Sequence, residues 1–199
     1  MFLTSRFFTT IFFFSLTVST AFSFAQKPNI LWIYAEDTSP WMGSYGDKIN
    51  AEATPNIDTI ATKGVRFSNA FVPAPVCSAT RSAIIVGQSA IRFGAHEHRS
   101  SRNENTRIYL PEHYKLLPEL LSESGYTTFN RGKTDYNFVF NEDKSYNYKL
   151  ENRTNLSELI DKQPFFGQIQ LNGGKNNTKN INNRLKVDPN TVSVPADYP

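Results

Sequence analysis

The sequence predicts an α/β protein, a mostly parallel mixed sheet flanked by helices, and three observations carry that expectation. Asn29–Ala35 is a short unbroken apolar run introduced by Pro28, which suits a strand buried on both faces in a parallel sheet. Thr54–Gly64 carries helix signals and is followed by strand-like alternation over Val65–Val72. A second helical stretch within Leu110–Gly125 runs into the short strand Tyr126–Asn130. Strand and helix alternating in this way is βαβ grammar, and it favours a parallel sheet.

Residues 1–25 come before this pattern and read differently. Arg6 is followed by an apolar core from Phe7 to Val18 and then by the small-residue end Ser23-Phe24-Ala25, the layout of a secretory leader cleaved after Ala25. Threonines and a serine interrupt the core, and a spanning helix needs about 20 mostly apolar residues, so no stable membrane anchor is expected. A secreted or periplasmic protein follows, with residues 26–199 long enough for one domain. The 21 basic residues nearly balance the 18 acidic ones and form no block, which argues against a nucleic-acid partner. One cysteine, Cys77, is present. In an exported chain it has no disulfide partner, so it draws attention as a reactive or modified thiol.

In chain order, the first strand ends in Glu36-Asp37. Two carboxylates at the carboxyl end of a buried strand lie where open α/β sheets place ligands and suit a hard divalent cation; alone they equally suit a solvated turn before Pro40. Pro40–Gly46 is a loop. The next helix has Thr54 as cap, Pro55 at its first position and Gly64 as stop, with Ile57, Ile60 and Ala61 on one face. Val65, Phe67 and Phe71 mark the expected strand after it. Pro73 and Pro75 stiffen the approach to a helix over Ser78–Gly87 that starts at Cys77. At a helix amino end, free N–H groups and the dipole stabilise a thiolate or a tetrahedral oxyanion, and Arg81 stands one turn up as an anion clamp. The chemistry alone leaves open a second reading, in which Cys77 packs as a small hydrophobe and Arg81 is solvated.

Ile91–Arg102 gathers His96, His98, Arg92, Arg99 and Arg102. Histidines two apart point to opposite faces of a strand and make a poor zinc pair, which leaves an anion-facing loop or a plain solvated loop. A helix from about Pro118, with Leu117, Leu120 and Leu121 inward, stops at Gly125, and Tyr126–Asn130 leads to Gly132-Lys133. Beyond Asn137 come a helix near Asn155–Asp161, a buried strand over Pro164–Leu171 and an asparagine-rich tail carrying Lys175.

The order Cys77-Ser78-Ala79-Thr80-Arg81 resembles the sulfatase signature: cysteine, any residue, proline or alanine, any residue, arginine. Asn29–Asp37 is similar to the first strand and acidic pair of that family. Thr54–Asp58 and Gly64–Ala70 resemble the segment before the signature, and Gly132-Lys133 resembles its glycine-lysine segment. The likeness runs collinearly from Pro28 to about Lys133.

The resemblance implies an alkaline-phosphatase-like fold and hydrolysis of sulfate esters, with a sulfated carbohydrate or another sulfate ester as substrate. It implies that a formylglycine-generating maturation enzyme converts Cys77 to an aldehyde whose hydrate attacks sulfur. Arg81 would stabilise that group, Lys133 would bind the sulfate, and Ca2+ would be held by Glu36, Asp37 and the group at Cys77. His96, His98, Arg99 and Asp135 would contact substrate. Two positions depart from the family pattern. Glu36 stands where an aspartate is usual, and Asp135 stands where a histidine usually follows the lysine, so that histidine's role passes to His96, to His98 or to another acid. The strand at Pro164–Leu171 also lacks the histidine it tends to lead to in the family. Further metal ligands and a second lysine of sulfatases lie downstream of Pro199, so the sequence reads as an amino-terminal portion whose sheet is incomplete. Two rival functions fit the same scaffold, a phosphoester or phosphonate hydrolase and a non-catalytic secreted glycan-binding protein.

Overall fold

The computed structural model describes residues 26–36, 38, 41–48, 51–150, 155–171 and 190, so the expected leader, Asp37, Pro40 and Lys175 lie outside the described residues. Three strands form one parallel sheet in the order β1 (Ile30–Ala35), β3 (Phe165–Leu171), β2 (Thr127–Arg131). Ile33 lies beside Ile169, and Ile169 beside Arg131. Because all three strands run the same way, their carboxyl ends share one edge, where such sheets collect ligands.

The central place of β3 explains why Phe166, Gly167, Gln168 and Ile169 are all buried. Gly167 is required there: a Cβ would lie 2.1 Å from the ring of Phe129 on β2, so the absent side chain lets that buried ring cross the sheet. β1 corrects the expectation of burial on both faces. Trp32 and Tyr34 are half-buried on one face, whereas Leu31 and Ile33 are exposed on the other, Ile33 by 57%. Among the described residues β1 has a neighbour on one side only and nothing over that second face.

Among the described residues four α-helices accompany the sheet: α1 (Pro55–Lys63), α2 (Cys77–Val86), α3 (Leu117–Glu123) and α4 (Glu142–Ser145). The small residues Ser78, Ala79, Ser82 and Ala83 bury one flank of α2, which brings its backbone close to its neighbours. Gly87 ends α2 in the left-handed conformation at φ 70° and turns its N–H back to the carbonyls of Ala83 and Ile84, a geometry that costs glycine least. In α3, Glu119 accepts the Leu116 N–H at 3.0 Å and so caps the first turn. The larger core cluster joins Ala83, Ile85, Phe93, Leu116 and Phe138, and a smaller one joins Phe129, Leu159 and Ile169.

Five further expectations are corrected. Val65–Val72 forms no strand, and Phe67 and Phe71 stand 69% and 91% exposed, because the alternating pattern meets no partner strand. Ile57 and Ile60 of α1 are exposed rather than packed. Thr54 occupies the N-cap position without capping: its hydroxyl is buried without a partner, while Asp58 accepts the Ser44 N–H at 2.8 Å. Leu120 of α3 faces outward, and the stretch expected to be helical near Asn155–Asp161 is a 3-10 helix over Ser157–Lys162.

Candidate active site

The carboxyl ends of the strands and the amino end of α2 meet at one place. Glu36 follows β1, Gln170 lies near the end of β3, and Gly132-Lys133 follows β2. Cys77 is the first residue of α2, where the first-turn N–H groups have no partner within the helix. An open cleft of about 470 Å³ lies beside it, lined by Tyr34, Glu36, Pro75, Cys77, Thr80 and Arg81.

Glu36 ties the strand ends together. Its Oε1 accepts from Lys133 Nζ at 2.7 Å, and its Oε2 accepts from Arg81 Nη2 at 3.3 Å and from Gln170 Nε2. Gln170 in turn accepts the Lys133 backbone N–H at 3.0 Å. Gly132 permits this closeness, since a Cβ there would lie 2.6 Å from Gln170 Cβ and φ is +146°. Arg81 donates from Nη1 to the Lys133 carbonyl at 2.8 Å, and its guanidinium lies 5.4 Å from the centre of the Tyr34 ring. A fork held on two sides and stacked on a ring is fixed in direction, which a lysine could not reproduce.

Asp135 is the second anionic anchor, 7% exposed at its side chain. It accepts from Arg99 Nε at 3.1 Å and Nη2 at 3.2 Å, and from Arg102 Nη2 at 3.3 Å, while Lys133 Nζ lies 3.3 Å away. Burial alone would raise its pKa; hydrogen bonds from Arg99 and the Cys77 thiol, with the charge of Lys133, outweigh it and hold it at about 2. Burial pulls Lys133 down, yet Glu36 and Asp135 raise it overall, and the hydrogen bond and charge of Asp135 raise Arg99. Arg99 and Asp135 both adopt positive φ, 55° and 48°, outside the usual range for side chains of their kind. Their bidentate pair compensates for that strain.

The segment carrying His96, His98 and Arg99 is irregular rather than a strand and is built around Asn137. This buried residue donates from Nδ2 to the carbonyls of Ala95 and Glu97 at 3.3 and 2.7 Å and to Ser100 Oγ at 2.9 Å. Its Oδ1 accepts the Ser101 N–H at 3.0 Å, and its own N–H reaches Ser82 Oγ on α2 at 2.8 Å. From α2, Ser78 Oγ contacts His98 Nδ1 at 3.1 Å and accepts the Arg99 N–H at 3.0 Å.

The structure thus brings Cys77, Arg81, Glu36, Lys133, Asp135 and Arg99 into one network, with His98 tied to its margin. His96 is exposed and makes no side-chain hydrogen bond among the described residues. Sequence reading missed Ser78, Asn137 and Gln170. The only available signal for Ser78 was its place inside the signature; nothing local marks Asn137 or Gln170, whose partners lie 40 and 134 residues away.

Glu36 and Asp37 are right in kind for calcium, a hard ion that takes six to eight oxygens. Among the described residues, however, no group of three His, Cys, Asp or Glu comes together to hold a metal. Both Glu36 oxygens already accept from cationic or amide donors. Asp37 lies outside the described residues, and the described residues by themselves make no calcium shell.

Comparison with known proteins places this geometry. The Sulfatase family model matches residues 28–190. An ulvan-active sulfatase of Formosa agariphila is 31% identical over 157 residues, covering 74% of this chain and 25% of the relative. Bovine arylsulfatase A is 33% identical over 120 residues, covering 60% and 23%, and human N-acetylgalactosamine-6-sulfatase 35% over 115 residues, covering 54% and 22%. The chain therefore spans about a quarter of the length of these relatives. A solved 2-O GAG sulfatase superposes with a TM-score of 0.58 at 25% identity, covering 74% of this chain and 35% of that one. With its signature cysteine at the start of α2 and a family match over most of its length, the chain belongs to the sulfatase family.

Proposed function

We propose that this chain carries the nucleophile-bearing part of an exported sulfatase that hydrolyses sulfate esters of carbohydrate. The observation that supports the reading best is the network at Cys77, in which Arg81, Lys133, Arg99 and Arg102 surround Glu36 and Asp135. Cations outnumber carboxylates there, which suits a tetrahedral oxyanion.

Each residue then has a task that follows from its setting. Cys77, converted to formylglycine by a maturation enzyme, supplies an aldehyde hydrate as the oxygen nucleophile. Arg81, fixed by Glu36, Lys133 and Tyr34, presents its fork one turn above that atom. Lys133 stays protonated between two carboxylates and donates to a sulfate oxygen. Arg99, aligned by Asp135, offers a second fork, and His96 and His98 contact the sugar or its substituents. Asp135 is ionised across the neutral range and acts by holding cations rather than by moving a proton. Calcium belongs to the reading as a ligand of Glu36, Asp37 and the group at Cys77, and its binding would have to release Glu36 from Lys133 and Arg81. The leader at residues 1–25 directs the protein to the periplasm or outside the cell. Among the described residues no helix is long and apolar enough to cross a membrane. The ulvan-active relative makes a sulfated polysaccharide the first substrate to test.

The test is turnover of an aryl sulfate beside the matching aryl phosphate by the protein co-expressed with a maturation enzyme. The reading expects the sulfate to be preferred and Cys77→Ala to abolish turnover. Faster phosphate hydrolysis, or hydrolysis that survives Cys77→Ala, would overturn it.

A further inference from the structure

We propose that Ser78 is a positioning residue that holds His98 in one neutral tautomer, with the proton on Nε2, so that His98 meets the ligand as a hydrogen-bond donor to an anionic oxygen. The proposal rests on the sulfatase reading of the site and adds to it the state in which one side chain works.

The hydrogens available at one buried hydroxyl decide the tautomer. Ser78 is 1% exposed, and its Oγ has two partners among the described residues, the Arg99 N–H at 3.0 Å and His98 Nδ1 at 3.1 Å. The backbone N–H can only donate, so it occupies one lone pair of Oγ. A hydroxyl has one hydrogen and two lone pairs. If Nδ1 carried the imidazole proton it would take the second lone pair, and the buried Ser78 hydrogen would be left without an acceptor. If Nδ1 is bare, the Ser78 hydrogen fills the contact and every group is satisfied. Leaving a buried donor unpaired is worth about tenfold or more in population, so the second arrangement dominates. The neutral imidazole proton then resides on Nε2, which has no partner among the described residues, on a side chain that is exposed.

Location gives this donor its use. Ser78 follows Cys77 directly, and Arg99 follows His98 and binds Asp135. A bare Nε2 would accept from sugar hydroxyls and repel a sulfate oxygen. An Nε2–H does the opposite, and it extends the donor set of Arg99 and Lys133.

The experiment is nitrogen-proton correlation spectroscopy of the histidine rings in the full chain, at a pH above the ordinary histidine range of about 6.5. The three histidines are assigned with His96→Gln and His113→Gln. Inorganic sulfate is the probe. The expected spectrum shows His98 protonated on Nε2, with that signal moving as sulfate is added. In Ser78→Ala the tautomers mix, and sulfate binds about tenfold more weakly. A His98 proton on Nδ1 in the unsubstituted chain overturns the proposal without any variant having to fold. An Nε2 signal that stays still while the Arg99 side-chain N–H signals move overturns the donor role and leaves the sulfatase reading standing. If sulfate moves neither, both fall.

Discussion

Asp135 gathers three cations on one carboxylate, and its substitution should therefore do more than remove a charge. Asp135→Asn leaves Arg99, Arg102 and Lys133 facing one another, and we expect a loss of roughly 3 kcal/mol in urea unfolding near neutral pH. The same residue makes a pH prediction whose sign is set by its low pKa. Its folded value, about 2, lies below the ordinary aspartate value. It therefore adds stability that is present in full above about pH 5 and is lost as pH falls toward about 2, a contribution on the order of 2 kcal/mol. Urea midpoints measured across that interval should fall in the unsubstituted protein, and by visibly less in Asp135→Asn. Equal slopes would show that the carboxylate is not held by its neighbours as described.

At the scale of elements, one buried amide shapes the segment between α2 and α3. Asn137 ties its side chain to four groups between Ala95 and Ser101, its two Nδ2 hydrogens shared among three acceptors and its Oδ1 accepting the Ser101 N–H. Asn137→Ala should cost about 2–3 kcal/mol at roughly 1 kcal/mol for each net bond, less some relaxation. Hydrogen exchange should quicken from Ala95 to Ser101 before it quickens in the sheet; uniform acceleration would contradict the picture of a locally pinned segment. Gly132→Ala tests the other anchor, because its Cβ meets Gln170 and its positive φ disfavours a side chain. A loss of about 1–3 kcal/mol is expected, together with weaker sulfate binding, since Gln170 orients both Glu36 and Lys133. The elements themselves could be read from local pattern: the apolar runs of β1 and β3, the Pro-first signal of α1, the glycines that close α1 and α2, and the Gly-Lys turn after β2. Their mutual contacts could not. Ser78 to His98, Gln170 to Glu36 and Asn137 to Glu97 join residues distant in sequence, and no spacing rule links them. The alternation at Val65–Phe71 misled for the complementary reason: an apolar pattern specifies a strand only where a partner edge receives it.

The whole molecule presents two facts side by side, an ordered polar network and a large exposed apolar surface. Leu31 and Ile33 on β1, Ile57 and Ile60 on α1, and Val65, Phe67, Phe71 and Val72 after it all face outward. Scattered apolar residues are ordinary, but the edge that β1 leaves open among the described residues, with apolar neighbours, invites association. The purified 199-residue chain should sediment as concentration-dependent oligomers. Replacing Ile33 and Phe71 by polar residues should shift it toward monomer, and a monomer at every concentration in the unsubstituted chain would refute this. The proposal that residues 1–25 are a cleaved leader makes a separate forecast, that protein recovered from an exporting host begins at Gln26. If Cys77 is the precursor of the nucleophile, one covalent change must be found at its side chain. Mass spectrometry of the peptide spanning Val76 to Arg81, after co-expression with a formylglycine-generating enzyme, tests it most directly. The peptide should be lighter by the exchange of CH2SH for CHO and reactive toward hydrazines; an intact thiol in every molecule would rule out conversion of Cys77.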